Sequence, residues 1–146
     1  MDLVLISAIV LAAFLALNIG ANNSAASMAT AYGAGVRTKK QAVIIIAVFA
    51  LLGALIAGAP VVKTLGNDLV PSEVLSSHIG LVLIIFVIAS IFVTWANVAK
   101  VPIATTHAIV CAIAGVGLYS SSLHTDKFFE ILIWWVAAPL VAWIIN

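Results

Sequence analysis

The chain has 146 residues, 65% of them hydrophobic and 8% charged, with a formal net charge of +1 and one cysteine. A soluble domain carries about 25% charged residues, so this composition excludes a water-soluble globule and marks an integral membrane protein. The near-neutral charge without a basic run excludes nucleic acid as a partner, and the lone Cys111 excludes an internal disulfide.

The first apolar run covers residues 3–17. It has the length of a secretory leader but no basic start, Asp2 being its only early charge, so it reads as a retained membrane segment. The stretch "NIGANNSAAS" then interrupts it, predicting a polar break over residues 18–24 and a small-residue helix over residues 25–36. "RTKK" (Arg37, Thr38, Lys39, Lys40) is a membrane exit, and residues 41–62 form a long clean span. Residues 63–78 hold Lys63, Asp68, Pro71, Glu73 and His78 and read as an aqueous loop. Residues 79–98 are the next span. "AKVPIATTH" (residues 99–107) breaks the pattern again, before an apolar helix over residues 108–119 in which Cys111 is expected to pack as a small hydrophobe. A loop, "SSSLHTDK", leads to a last span over residues 128–145, rich in tryptophan.

If residues 3–36 cross once, Arg37, Lys39, Lys40 and Lys100 share one face, and Lys63 and Lys127 the other. The excess of positive charge places "RTKK" in the cytoplasm and the N-terminus outside. The expected fold class is an all-α integral membrane protein. It has about five transmembrane crossings and two broken or re-entrant helices, in a single domain over residues 1–146. No second copy of either polar pattern is present, so the chain has no internal duplication.

Breaking a helix in lipid frees backbone N–H and C=O groups, and such breaks survive only inside protein or beside water. In transporters they build substrate sites. At the first break Gly20 allows a turn, and Asn22, Asn23 or Ser24 stands ready to cap the following helix. At the second, Thr105 and Thr106 stand where caps belong, after Pro102. A helix N-terminus carries about half a positive charge and free N–H donors. It binds an anion without Lys or Arg, which cost about 2.5–3.5 kcal/mol or more at the bilayer centre. Two such ends, dressed with amides and hydroxyls, suit a small tetrahedral oxyanion. The bland alternative is that these Asn, Ser and Thr residues are interhelical glue; Thr94, outside both motifs, is the comparison position that separates the two. His107 either relays protons, contacts the anion or bonds a carbonyl. Lys100 and Glu130 are expected to snorkel to the interface.

"GANNSAASMATAYGAGVRTKKQA" (residues 20–42) resembles the "GANDVANS" signature of the inorganic phosphate transporter family, and "VPIATTHAIVCAIAGVGL" (residues 101–118) resembles that family's second motif. The resemblance implies secondary active transport of inorganic phosphate, coupled to sodium or protons, with no other cofactor. It places Asn22, Asn23, Thr105, Thr106 and His107 at signature positions lining the site; Ser24 joins them from the bottom-up reading. No metal-ligand set is assigned. The chain departs from the pattern at Asn23 (family Asp), Ala26 (family Asn) and Ala104 (family Ser). These departures are shared in kind by the family's sulfate-permease branch, which makes sulfate the alternative substrate. The chain has the size of one of the family's two inverted repeats. The implied partner is a separately encoded second inverted half or an antiparallel copy of this chain, within the lipid bilayer, unless the chain is a fragment of a longer one that carries both halves. The alternative is a non-transporting half-size assembly subunit.

Overall fold

A chain this apolar must satisfy its own backbone, because lipid offers no partners. The computed structural model describes residues 3–145, and every regular element among them is helical. Met1, Asp2 and Asn146 lie outside the described residues. In chain order the helices are α1 (Leu3–Gly33), α2 (Lys39–Lys63), α3 (Ser72–Ser77), α4 (Ile79–Val98), α5 (Thr105–Tyr119) and α6 (Thr125–Ile145). α2 continues directly into a π-helical turn, Thr64–Asp68. Four helical stretches are long and apolar enough to cross a membrane: Leu3–Gly33, Lys39–Asp68, Ile79–Val98 and Thr125–Ile145. α5 is a fifth, shorter apolar helix. The chain is therefore an all-α, multi-pass membrane protein.

The break predicted over residues 18–24 is absent: α1 is one continuous helix of 31 residues. At about 1.5 Å per residue it is roughly 46 Å long, more than the ~30 Å hydrocarbon core. The polar side chains are satisfied without opening the helix. Ser24 Oγ donates to the Gly20 carbonyl at 2.6 Å and Asn18 Nδ2 to the Phe14 carbonyl at 2.9 Å. Asn22 reaches sideways to other elements. Gly20 thus sits inside the helix, where it costs about 1 kcal/mol relative to alanine.

The second predicted break is present. α4 stops at Val98, and six residues pass before α5 begins. The stop is a Schellman ending, with the N–H of Lys100 on the Asn97 carbonyl (3.1 Å) and that of Val101 on the Ala96 carbonyl (2.9 Å). Lys100 takes the left-handed conformation this requires, at φ 58°. α2 starts from a reciprocal cap, in which Thr38 Oγ1 accepts from the Gln41 N–H and Gln41 Oε1 accepts from the Thr38 N–H.

Residues 63–78 differ from the predicted aqueous loop. The first six are helical, and Leu69 and Val70 are fully buried. The segment folds inward because α5 offers it a gap: a Cβ on Gly117 would lie 2.7 Å from Val70 Cγ2. Leu69, Val70, Ile85, Val110, Ile113 and Val116 form one core cluster, edged by Phe128, Ile131 and Trp135 of α6. A second cluster joins Leu15 of α1 to Ala89 and Val93 of α4. α4 is the central element, packed on α1 and on α5. Cys111, predicted to be packed, is exposed instead, because its turn of α5 faces an open groove beside α4.

Candidate functional site

Proline at 102 and a left-handed residue at 100 stop helix formation between α4 and α5, so a helix must start anew. α5 starts at Thr105, with Ala104 as its N-cap (φ −74°, ψ 92°). Thr105 and Thr106 are therefore the first two helical residues, and not the caps that the sequence predicts. No side chain caps this end. Alanine is a poor N-cap, about 1 kcal/mol worse than serine or threonine. The backbone turns one donor inward, the His107 N–H to the Ala104 carbonyl at 2.9 Å. The end retains its positive dipole.

Asn22 of α1 holds the segment that leads into this end. Its Nδ2 donates to the Val101 carbonyl at 3.2 Å, and its Oδ1 accepts from the Ile103 N–H at 2.9 Å. These two groups flank Pro102, which has no N–H. The amide thus satisfies both of them, as a neighbouring strand would. Asn22 is buried, at 4% exposure. One residue on, Asn23 Nδ2 lies 3.4 Å from Thr105 Oγ1, linking α1 to the first residue of α5. Thr105 is buried as well.

The predicted residues therefore divide. Asn22, Asn23 and Thr105 come together at the α1–α5 junction. Ser24 is turned back on its own helix. Thr106 is exposed on the first turn of α5. His107 is exposed and its ring stacks on Trp135 of α6, with centroids 3.7 Å apart and planes tilted by 40°. His107 also edges the groove of about 740 Å³ between α4 and α5, otherwise lined by residues such as Ile84, Ile88 and Phe92. That lining is mostly apolar, His107 and Tyr119 excepted. The polar groups suited to an oxyanion gather at the α5 N-terminus, where the side chains named are amides, hydroxyls and an imidazole.

Sequence reasoning missed three polar residues behind this site. Asn97 of α4 accepts from Asn22 Nδ2 at 2.8 Å, and its own Nδ2 donates to the Asn18 carbonyl (3.0 Å) and to Asn18 Oδ1 (3.1 Å). Thr94 Oγ1 donates to Asn18 Oδ1 at 3.2 Å. Thr94 is thus part of the polar network and not a neutral comparison position. The signal was legible as spacing: Asn18 and Asn22 stand four apart on α1, and Thr94 and Asn97 three apart on α4. Polar groups on one face of each of two membrane helices are expected to find each other.

A family model described as the phosphate transporter family matches residues 19–146. The chain is 36% identical over 138 residues to the sulfate permease CysP of Bacillus subtilis (strain 168), covering 94% of this chain and 38% of that protein. It is 33% identical over 146 residues to a Pyrococcus furiosus protein named "Putative phosphate permease PF1020", covering 96% of this chain and 35% of that protein. A Mycobacterium tuberculosis protein, "Putative phosphate permease MT2339", is 30% identical over 158 residues, covering 98% and 29% respectively. The chain thus spans about a third of the length of these curated relatives. No solved structure matches it.

Proposed function

The chain belongs to the phosphate transporter family, and from that premise we propose that it forms part of a secondary transporter that carries inorganic phosphate across the cell membrane. The observation that supports this reading is the uncapped N-terminus of α5, held against α1 by Asn22 and Asn23. Such an end attracts a tetrahedral oxyanion through its dipole and free N–H donors, with Thr105 and Thr106 hydroxyls alongside. Transport is coupled to a sodium or proton gradient, and the chain performs no covalent chemistry. A second inverted half, or another copy of the chain, completes the translocation path, in keeping with relatives about three times as long.

Sulfate is the second reading, and Asn23 favours it. Phosphate near pH 7 carries at least one proton to donate, whereas sulfate carries none. A carboxylate at position 23 would accept that proton more strongly than the neutral amide oxygen there, while the amide Nδ2 donates to Thr105.

The test is radiolabelled phosphate and sulfate uptake into proteoliposomes holding the chain with any partner that co-purifies, with and without sodium and proton gradients. Gradient-driven uptake of either anion is the expected result, and Asn23→Asp is expected to shift the preference toward phosphate. No uptake of either anion would overturn the proposal in favour of a non-transporting assembly subunit.

A further inference from the structure

Asn22 is an unusual clamp, because one amide serves both a carbonyl and an N–H of the segment entering α5. That works in one orientation only. Rotating the amide by half a turn would set its oxygen against the Val101 carbonyl and its NH₂ against the Ile103 N–H, acceptor on acceptor and donor on donor. The segment opposes this flip only while its Val101 carbonyl and Ile103 N–H are already in place, and the clamp is what holds them there. A contact from the other side selects the same orientation independently of the segment. Asn97 Oδ1 accepts the second Nδ2 proton of Asn22 at 2.8 Å, the shortest contact that Asn22 makes.

Asn97 is in turn fixed in orientation. Both of its donors are used on Asn18, one on the main-chain carbonyl and one on Oδ1. A main-chain carbonyl is an acceptor only and cannot rotate, so it sets which end of the Asn97 amide carries the NH₂. The Asn18 amide is oriented by its Nδ2 donating to the Phe14 carbonyl, which leaves Oδ1 to accept from Thr94 Oγ1 and from Asn97. The order therefore runs from the α1 backbone to Asn97, from Asn97 to Asn22, and from Asn22 to Val101 and Ile103.

Resting on the transport reading above, we propose that Asn97 is a positioning residue for the anion site. It touches no substrate. It holds the Asn22 amide in the one orientation that places the Val101–Ile103 segment, and through it the first turn of α5.

Two measurements on the full chain, in mild detergent and in proteoliposomes, test this. The first is hydrogen–deuterium exchange. Asn97→Ala is expected to speed exchange of the peptide covering residues 101–107 by between about threefold and tenfold, the scale of one lost hydrogen bond, leaving residues 43–55 of α2 unchanged. The second is uptake of phosphate and sulfate. Asn97→Ala is expected to raise KM by a similar factor, and Asn22→Ala/Asn97→Ala to be no worse than Asn22→Ala alone. A merely structural role would lower the maximal rate at unchanged KM, through less folded protein. Unchanged exchange at residues 101–107, or independent effects of the two substitutions, overturns the proposal. A wild-type chain inert toward both anions overturns the transport reading instead, and the exchange result then decides the orienting role of Asn97 by itself.

Discussion

The space beside Gly117 of α5 is filled by Val70 and Leu123. A methyl group there would meet Val70 Cγ2 at 2.7 Å and Leu123 Cβ at 3.1 Å. Gly117→Ala is therefore expected to destabilise the chain by about 1–3 kcal/mol, the usual cost of overpacking, and to lower the Tm followed by tryptophan fluorescence in detergent. Gly117→Ala/Val70→Ala should recover part of that loss, because the second change removes the clashing methyl. Ser90 of α4 is the opposite case. Its hydroxyl is buried without a hydrogen-bond partner among the described residues, and such a group costs about 1–3 kcal/mol. Ser90→Ala is expected to leave Tm unchanged or raise it; a fall would show that the hydroxyl has a partner in the membrane. Neither position stands out in the sequence. A glycine and a serine in an apolar helix look like any others until the segment facing them is known.

α4 and α5 end at Val98 and Tyr119, where the sequence places them, whereas α1 stops at Gly33, short of residue 36; the local chemistry of these ends is less legible than their positions. α1, α4 and α5 all stop with a left-handed residue, at Gly35, Lys100 and Ser121. Only the first is the glycine that signals such an ending. Holding a non-glycine residue there costs about 1–2 kcal/mol, so Lys100→Gly is expected to raise Tm while leaving the length of α4 unchanged by circular dichroism. The absence of a break in α1 has a related cause. Gly20, Asn22 and Asn23 are breakers in isolation, yet the amides are met by α4, the Val101–Ile103 segment and α5. Their partners lie 75 to 82 residues away in the chain, a range that no local pattern reports. The second break was legible because proline at 102 carries its own prohibition on helix.

Across the whole molecule, the apolar surface is far from covered. α6 has no buried residue and α2 only Ala42. Ile56 and Trp143 remain about four-fifths exposed, at 81% and 78%. In water this would drive aggregation; in a bilayer it is the surface offered to lipid or to further protein. If a second half completes the transporter, native mass spectrometry from mild detergent should show a species heavier than one chain. A monomer that nevertheless transports would overturn the need for a partner. The distribution of positive charge predicts that a cysteine at Thr38, in a Cys111→Ala background, is labelled from the cytoplasmic side only. Labelling from both sides would instead indicate dual insertion.

Hydropathy alone assigned the membrane class, and the spans followed from it, because lipid demands long apolar stretches whatever they pack against. Residues 79–98 show this well, with predicted and observed bounds the same. The two signature stretches likewise placed the chain in its family and brought Asn22, Asn23 and Thr105 to attention. Tertiary structure decided the rest. It kept α1 whole, buried Leu69 and Val70, and made Asn22 a clamp instead of a cap. It also brought in Asn97, which no motif contains. In each case the deciding partner lies on another element of the chain, and a polar group's role in lipid is set by the partner that satisfies it.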